Sequence, residues 1–330
     1  MISILIDTYN YGRFIEDAVD SVLAQDFPAE QMEVLVVDDG STDDTAERLK
    51  KYGDRIRYFR KVNGGQASAF NFGVVRACGE IVAFLDADDY WLAGKLRCVA
   101  AEFEAHPEVG LVYHRLFERA KGNEELREAR FEFAAVSGNI ANDIAGLMSY
   151  RPQPTSTLAL RRAVLQRLCP IPEAIRLQAD AYIGLLAPLV TSILAVPEFL
   201  AVYRVHGQNL YASEGAEITR ECTEQRTAMQ KIIGREVENW IARNGHSPAK
   251  RPYWVLLEQW RLFIEGQRLA FSSPSRIKLL QFELRKARCW SSQFGLRLRA
   301  INYFNVLGAF VTGNQNFDVD AWRLKLAGKR

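Results

Sequence analysis

No C-x-x-C pair occurs in this 330-residue sequence, and its five cysteines, Cys78, Cys98, Cys169, Cys222 and Cys289, are odd in number and scattered. That excludes a disulfide framework and a zinc-thiolate site, and it fits small buried thiols in a reducing compartment. No G-x-G-x-x-G follows the first apolar run, which removes the dinucleotide-binding dehydrogenases. No low-complexity tract argues for disorder, and no internal repeat argues for a solenoid. The N-terminus has no basic region leading into an apolar stretch and a small-residue cleavage site, so no signal peptide is expected and the chain is expected in the cytoplasm. One stretch, from Tyr182 to Tyr203, is apolar enough over the ~20 residues of a membrane span. Pro188, Pro197 and Glu198 interrupt it, and two shorter packed elements are expected there instead.

What is present is the composition of a folded protein, 48% hydrophobic and 25% charged, with length for one large domain or two of ~150 residues. Neither sign of charge dominates overall, but the two are unevenly placed. Residues 1–249 carry 27 Lys and Arg against 35 Asp and Glu, whereas residues 250–330 carry 15 against 5. A basic tail fits an anionic surface or a solvated helical face. A nucleic-acid partner is not expected.

Short apolar runs alternate with helix-period segments through the first hundred residues, the signature of an α/β fold with a mostly parallel sheet covered by helices. "ISILI" (2–6), "EVLVVDD" (33–39), "RIRYF" (55–59) and "EIVAFLD" (80–86) read as strands. Residues 12–25 place Phe14, Ile15, Ala18, Val22 and Leu23 on one helical face, and 41–53 read as a second helix with Ser41 as its N-cap and Gly53 at its end. Further on, 156–168 read as a strand running into a helix, 180–189 as a helix, and 191–207 as a strand pair or a strand bent at Pro197. Helical periodicity continues beyond about residue 215.

Ligands of open parallel sheets bind outside the carboxyl ends of the strands, and here four such ends are polar: "DTYN" (7–10), "DDGSTDD" (38–44), "KVNGGQ" (61–66) and "DADD" (86–89). The last packs Asp86, Asp88 and Asp89 into four positions. Unscreened negative charges about 4 Å apart repel by roughly 4 kcal/mol at an effective dielectric near 20, so a positive species is required. Carboxylates at i and i+2 on a loop suit a hard divalent ion, Mg²⁺ or Mn²⁺, arriving with a diphosphate. The alternative is an acidic strand-to-helix turn in which Asp89 caps the next helix.

In order and at ordinary separations, "SILIDTYNYGRFIEDAVDSVLAQ", "EVLVVDDGSTDDT" and "NGGQASAFNFGVVRACGEIVAFLDADDYW" resemble the inverting glycosyltransferases of family 2. The resemblance covers residues 1 to about 115 and returns more weakly over 151–210, in "STLALRR", "QADAYIGLLAPL" and "AVYRVHGQN". It implies the nucleotide-diphosphosugar transferase (GT-A type) fold. A catalytic domain would span 1–212, with a donor-binding half (1–115) and an acceptor half (116–212), followed by a helical C-terminal region over 213–330. Carried over by position, it implies that Tyr9 lies against the nucleotide base, that Asp39 hydrogen-bonds the base's polar edge, and that Asn63 and Gly65 line the nucleotide pocket. Asp86 would face the ribose or a metal-bound water, Asp88 would be the direct ligand of Mn²⁺ or Mg²⁺, and Arg204 and His206 would face the diphosphate or the metal. Asp180 falls at the position of the base, with Ala179 where the pattern usually has a first acid; an Asp180 that caps its helix is the competing reading, and both can hold. Asp7 stands where the family commonly has proline, and Phe70 where many members have a basic residue.

The implied reaction moves a sugar from a nucleotide-diphosphate donor, a UDP-sugar first among them, to a hydroxyl of a glycan, lipid-linked or surface-polysaccharide acceptor. The tail stretches "SRIKLLQFELRKARCW" and "FGLRLRAINYFNVLGAF" combine Arg and Lys with large apolar residues, as in helices lying on anionic membranes, packing on the catalytic domain or forming a homo-oligomer. Two other readings stand beside this one. "FLDADDY" also fits the nucleophile loop of haloacid-dehalogenase phosphatases, although that loop normally opens its domain. A nucleotide-sugar-binding scaffold without activity would keep the same fold.

Overall fold

A computed structural model describes residues 1–120, 122, 125–129, 133, 135–206, 209, 220–247, 249, 253–270 and 276–291. The chain divides into two compact units, Met1–Ala141 with Ser149–Glu217, and Asn142–Met148 with Ile218–Arg330. The domain boundary expected at 212/213 and the basic stretch 294–310 lie outside the described residues.

The first unit opens with β1 (Ile2–Thr8), α1 (Gly12–Leu23), β2 (Met32–Asp38), α2 (Thr45–Leu49), β3 (Arg57–Arg60), α3 (Gln66–Arg76) and β4 (Ile81–Asp86). The four strands are parallel and ordered β3-β2-β1-β4. The apolar runs of β1, β2 and β4 are buried on both faces, as a helix-covered parallel sheet requires, while β3 is the partly exposed edge. Ile15, Ala18, Val19 and Val22 of α1 form one buried stripe at helical spacing against this sheet. α3 packs closely because Gly73 faces Leu5; a Cβ there would sit 1.8 Å from Leu5 Cδ1.

One local expectation fails. The helix over 41–53 shrinks to α2 and a 3₁₀ segment over Lys50–Arg55, broken at Gly53 with φ +52°. Ser41 is not its cap; Asp44 holds that position, and Ser41 Oγ accepts the Asn10 N–H at 2.8 Å. A short hydroxyl side chain beside a second strand end meets a better partner than the helix start.

β5 (Tyr90–Trp91), α4 (Lys95–Ala105), β6 (Val109–Ala120), β7 (Leu126–Glu128), α5 (Ile144–Ser149), β8 (Ala159–Arg161), α6 (Arg162–Leu168), α7 (Ala179–Val190) and β9 (Ser192–Val205) follow. They extend the sheet as β4-β8-β6-β9-β5, with β7 on β6. This half is mixed: β8 runs antiparallel to β4 and β6, and β9 runs parallel to β6. Residues 192–205 form one strand bent at Pro197, where the β6–β9 register shifts between His114 and Arg115. The apolar stretch 182–203 is thus α7 and β9, and no helix among the described residues is long and apolar enough to cross a membrane.

In the second unit, α8 (Arg220–Arg243), α9 (Tyr253–Ala270) and α10 (Arg276–Ser291) bury Val255, Leu262 and Cys289 with Met148, and Trp260 Nε1 donates to the Gln230 carbonyl at 2.8 Å. Arg285 of the basic α10 pairs with Glu258 of α9 at 2.8 Å and with Glu265.

Candidate active site

β1 lies between β2 and β4, and the chain leaves it in opposite directions, so its carboxyl end is a topological switch point where a crevice opens. Asp7 of β1 and Asp86 of β4 are opposite each other in the ladder. Just beyond β4, oxygens of Asp86, Asp88 and Asp89 lie within 4.8 Å of one another. Gln66 Nε2 donates to Asp86 Oδ1 at 3.1 Å, Ser156 Oγ to Asp89 Oδ2 at 2.6 Å, and His206 Nε2 lies 3.0 Å from Asp88 Oδ2.

Removal from water raises the pKa of Asp86 and Asp89, and the neighbouring carboxylates raise both further. Asp7 is pushed up to about 7, first by desolvation and then by the charge of Asp88, while a hydrogen bond with Asp86 opposes the rise. Asp7 Oδ1 is enclosed and has no hydrogen-bond partner among the described residues. An all-oxygen donor set, crowded enough to hold protons and with an orphaned buried oxygen beside it, fits a hard divalent cation.

Asp180 lies in the first turn of α7, and the N-cap position belongs to Gln178 in the left-handed region at φ +63°. Its Oδ2 accepts the Thr155 N–H at 3.1 Å and its Oδ1 accepts the Ala181 N–H at 2.8 Å. Burial raises its pKa to about 6 even so. Gln66, which hydrogen-bonds both Asp86 Oδ1 and the Ala179 N–H, brings the start of α7 to the acidic cluster.

The other residues singled out by sequence fall as follows. Tyr9 is 47% exposed, leaving an aromatic surface at the crevice. Asp39 is buried and already accepts from Lys61 Nζ at 2.7 Å, from Gly64 N at 2.9 Å and from Gly65 N at 2.7 Å. Asn63 Oδ1 accepts from Arg176 Nη2. Gly65, at φ +87°, stands against Arg176, whose Cα would lie 2.6 Å from an added Cβ. Arg204 holds the acidic loop from behind: its Nε donates to the Asp88 carbonyl at 2.6 Å and its Nη1 to Asp17 Oδ2 at 2.5 Å, and its N–H donates to Asp89 Oδ1 at 3.1 Å. The His206 ring packs 4.6 Å from the Phe14 ring. Phe70 is a core residue, 4.8 Å from Phe84, rather than a lining of the crevice.

Gln66 carries a role that the sequence did not announce. While its Nε2 donates to Asp86, its Oε1 accepts the Ala179 N–H at 2.9 Å, so one amide joins the acidic loop to the start of the helix that bears Asp180. Its place in "NGGQ", at a strand end, was the one available signal.

Residues 3–168 match the family model described as glycosyl transferase family 2. The uncharacterized glycosyltransferase alr2836 of Nostoc sp. is 31% identical over 304 residues, 82% of this chain and 92% of that protein. A crystal structure of Staphylococcus aureus TarS 1–349 in complex with UDP superposes with TM-score 0.58 at 19% identity, covering 96% of this chain and 94% of that one. The curated TarS, a poly(ribitol-phosphate) beta-N-acetylglucosaminyltransferase, is 35% identical over 108 residues, 32% of this chain and 19% of its own length. The mannosyltransferase PcManGT of Pyrobaculum calidifontis, in complex with GDP-Man and Mn²⁺, superposes with TM-score 0.53 at 20% identity, covering 95% of this chain and 86% of that one. These likenesses carry the GT-A fold.

Proposed function

The chain belongs to glycosyl transferase family 2, and from that premise we propose that it is an inverting, divalent-metal-dependent glycosyltransferase that uses a nucleotide-diphosphate sugar, a UDP-sugar before others, and a hydroxyl acceptor on a glycan, lipid-linked carrier or surface polysaccharide. The observation that carries this reading is the convergence of Asp86, Asp88 and Asp89 at the switch point, with the partnerless, enclosed Asp7 Oδ1 beside them. Family membership argues against the phosphatase reading, and the intact set of Asp39, Asp86, Asp88 and Asp180 argues against an inactive scaffold. Relatives in complex with UDP and with GDP-Man and Mn²⁺ support a nucleotide donor and a metal.

Asp88 and Asp86 would hold the ion, which, when bound, offsets charge growing on the departing diphosphate. His206 fixes the Asp88 carboxylate from the other side. Tyr9 offers its exposed ring to the base. Asp39 keeps the "NGG" turn folded through three donors that make four contacts, so a base N–H would share one of its oxygens with them. Asn63 and Gly65 shape that wall, and Arg204 keeps the acidic loop in place rather than touching the donor.

In the transfer, the acceptor oxygen bonds to the anomeric carbon opposite the leaving group, and the bond from that carbon to the β-phosphate oxygen breaks with its electron pair going to the diphosphate. The acceptor proton passes to Asp180, whose raised pKa, about 6, leaves it ionised yet basic near neutral pH. The catalytic region is assigned to 1–212, and the basic helices beyond it to contact with an anionic membrane surface or a second copy of the chain. Thermal-shift measurements with UDP-GlcNAc and GDP-mannose, each with and without Mn²⁺, test the reading. A metal-dependent rise in melting temperature is expected with at least one of them, and no nucleotide binding at saturating metal refutes it.

A further inference from the structure

Beside the acidic cluster, a cavity of about 270 Å³ is bounded by His114, Arg115, Glu128, Phe133, Gln153 and Phe199, with Pro154 closing one side. The ladders fix its position. Ala83 of β4 is opposite Ala159 of β8, which is opposite Val112 of β6. Both β4 and β6 run antiparallel to β8 and so parallel to each other; Asp86 and Arg115, each three residues further on, reach the same level of the sheet. Two strand spacings, about 10 Å, separate them. The cavity wall also runs directly into the proposed base, since Pro154 precedes Thr155, whose N–H is held by Asp180 at 3.1 Å.

The lining is chemically specific. His114 is 1% exposed, and its Nδ1 lies 2.7 Å from the Arg115 carbonyl, an oxygen that can only accept, so the proton sits on Nδ1. Burial and the charge of Lys95 push the His114 pKa down, which keeps the ring neutral. Its Nε2 is then a bare lone pair, enclosed and without a partner among the described residues, which a turn of the ring toward the cavity would offer to a hydroxyl donor. Arg115 and Glu128 form an ion pair at 2.9 Å, so their charges cancel. Both faces of the Phe199 ring are covered, by Phe117 at 4.1 Å and by the Arg115 guanidinium at 4.2 Å, leaving its edge for apolar contact. The volume lies at the small end of ligand pockets, below roughly 300 Å³.

We propose that this cavity is the acceptor subsite and that it takes one uncharged sugar ring, a neutral pyranose unit, through hydroxyl hydrogen bonds to His114, Gln153 and the Arg115–Glu128 pair. The proposal rests on the glycosyltransferase reading and deepens it by naming the acceptor class. A lining with no net charge disfavours a phosphodiester or uronic acid at this position, because either would bring an anion without a free counter-charge.

Saturation-transfer NMR on the intact chain tests it, with methyl glycosides of glucose, galactose, mannose and N-acetylglucosamine as neutral probes and methyl glucuronide and ribitol 5-phosphate as charged ones. At least one neutral glycoside is expected to bind, roughly tenfold better than the charged probes, and His114→Phe and Gln153→Leu are each expected to weaken it by roughly tenfold. The exposed change Glu128→Gln, which leaves Arg115 uncompensated, is expected to turn the preference toward the charged probes. Binding of no neutral glycoside, binding undiminished in the variants, or an unchanged preference in Glu128→Gln overturns the proposal. Nucleotide binding by the unaltered chain, followed separately by melting with UDP-GlcNAc and Mn²⁺, tells the two failures apart. Nucleotide without glycoside refutes this subsite alone, whereas glycoside without any nucleotide refutes the transferase reading and the acceptor role with it.

Discussion

A carboxylate that holds an ion and one that takes a proton should fail in different ways when made into amides. Asp88→Asn keeps its shape beside His206 but loses its charge, and Mn²⁺-dependent nucleotide binding, measured by calorimetry, is expected to vanish while the far-ultraviolet spectrum is unchanged. Asp180→Asn retains the acceptor oxygen for the Thr155 N–H and should still bind donor, with kcat lowered by roughly 10²–10⁴, the usual worth of a positioned base. In the parent chain, kcat is expected to fall below pH about 6 with the slope of a single proton, since protonated Asp180 takes nothing from the acceptor. Residues of this kind were legible in the sequence, because Asp86 and Asp88 sit at the end of an apolar strand and their neighbours along the chain are their neighbours in space. Arg204 was not. Its contacts include Asp17 and the Asp88 carbonyl, more than a hundred residues away along the chain, and only the folded sheet shows that the guanidinium braces the loop.

At the scale of elements, the alternation of strand and helix was written in the periodicity of residues 2–86, and the structure repeats it within a residue or two at most ends. What periodicity cannot encode is a cap decided by a neighbouring strand, which is why Ser41 joins Asn10 and not α2. The same limit hid Gln66. Its amide links the loop after β4 to the first turn of α7, so Gln66→Leu removes two hydrogen bonds and leaves the Ala179 N–H and Asp86 Oδ1 without them. A loss of about 1–3 kcal/mol in stability is expected. A shift in the Asp180 limb of the pH–rate profile should accompany it, and stability loss with an unmoved limb would mark Gln66 as structural only. Gly65→Ala probes the neighbouring turn: at φ +87°, with Arg176 Cα 2.6 Å from the new methyl, it should lower the melting temperature and cost about 1–3 kcal/mol.

At the scale of the molecule, the first unit carries a set of acids whose protonation is coupled to folding. Asp7 at about 7 and Asp180 at about 6, with Asp86 and Asp89 also raised, bind protons in the folded chain that an unfolded chain, with values near 3.8, releases. Stability from these groups is therefore full only below the unfolded value of 3.8 and is lost as the pH rises toward 7, since the folded state binds more protons through that window. Glu33 and Asp43, whose pKa values are lowered, act in the opposite sense at the acid end of that window, where their unfolded carboxyls still hold part of a proton. His114 and Lys95, whose pKa values burial lowers, act in the opposite sense, so the pH dependence of the metal-free chain alone is a blend. The difference between samples with and without Mn²⁺ removes the His114 part of that blend, because no acid of the cluster acts on His114, whereas Lys95 stays coupled to it through Asp89. A cation must displace the protons held by the cluster, so its stabilising effect has to grow with pH. The rise in melting temperature produced by saturating Mn²⁺ is accordingly expected to be small at pH 5 and to increase through pH 8. A rise independent of pH would mean that the ion binds somewhere other than these carboxylates.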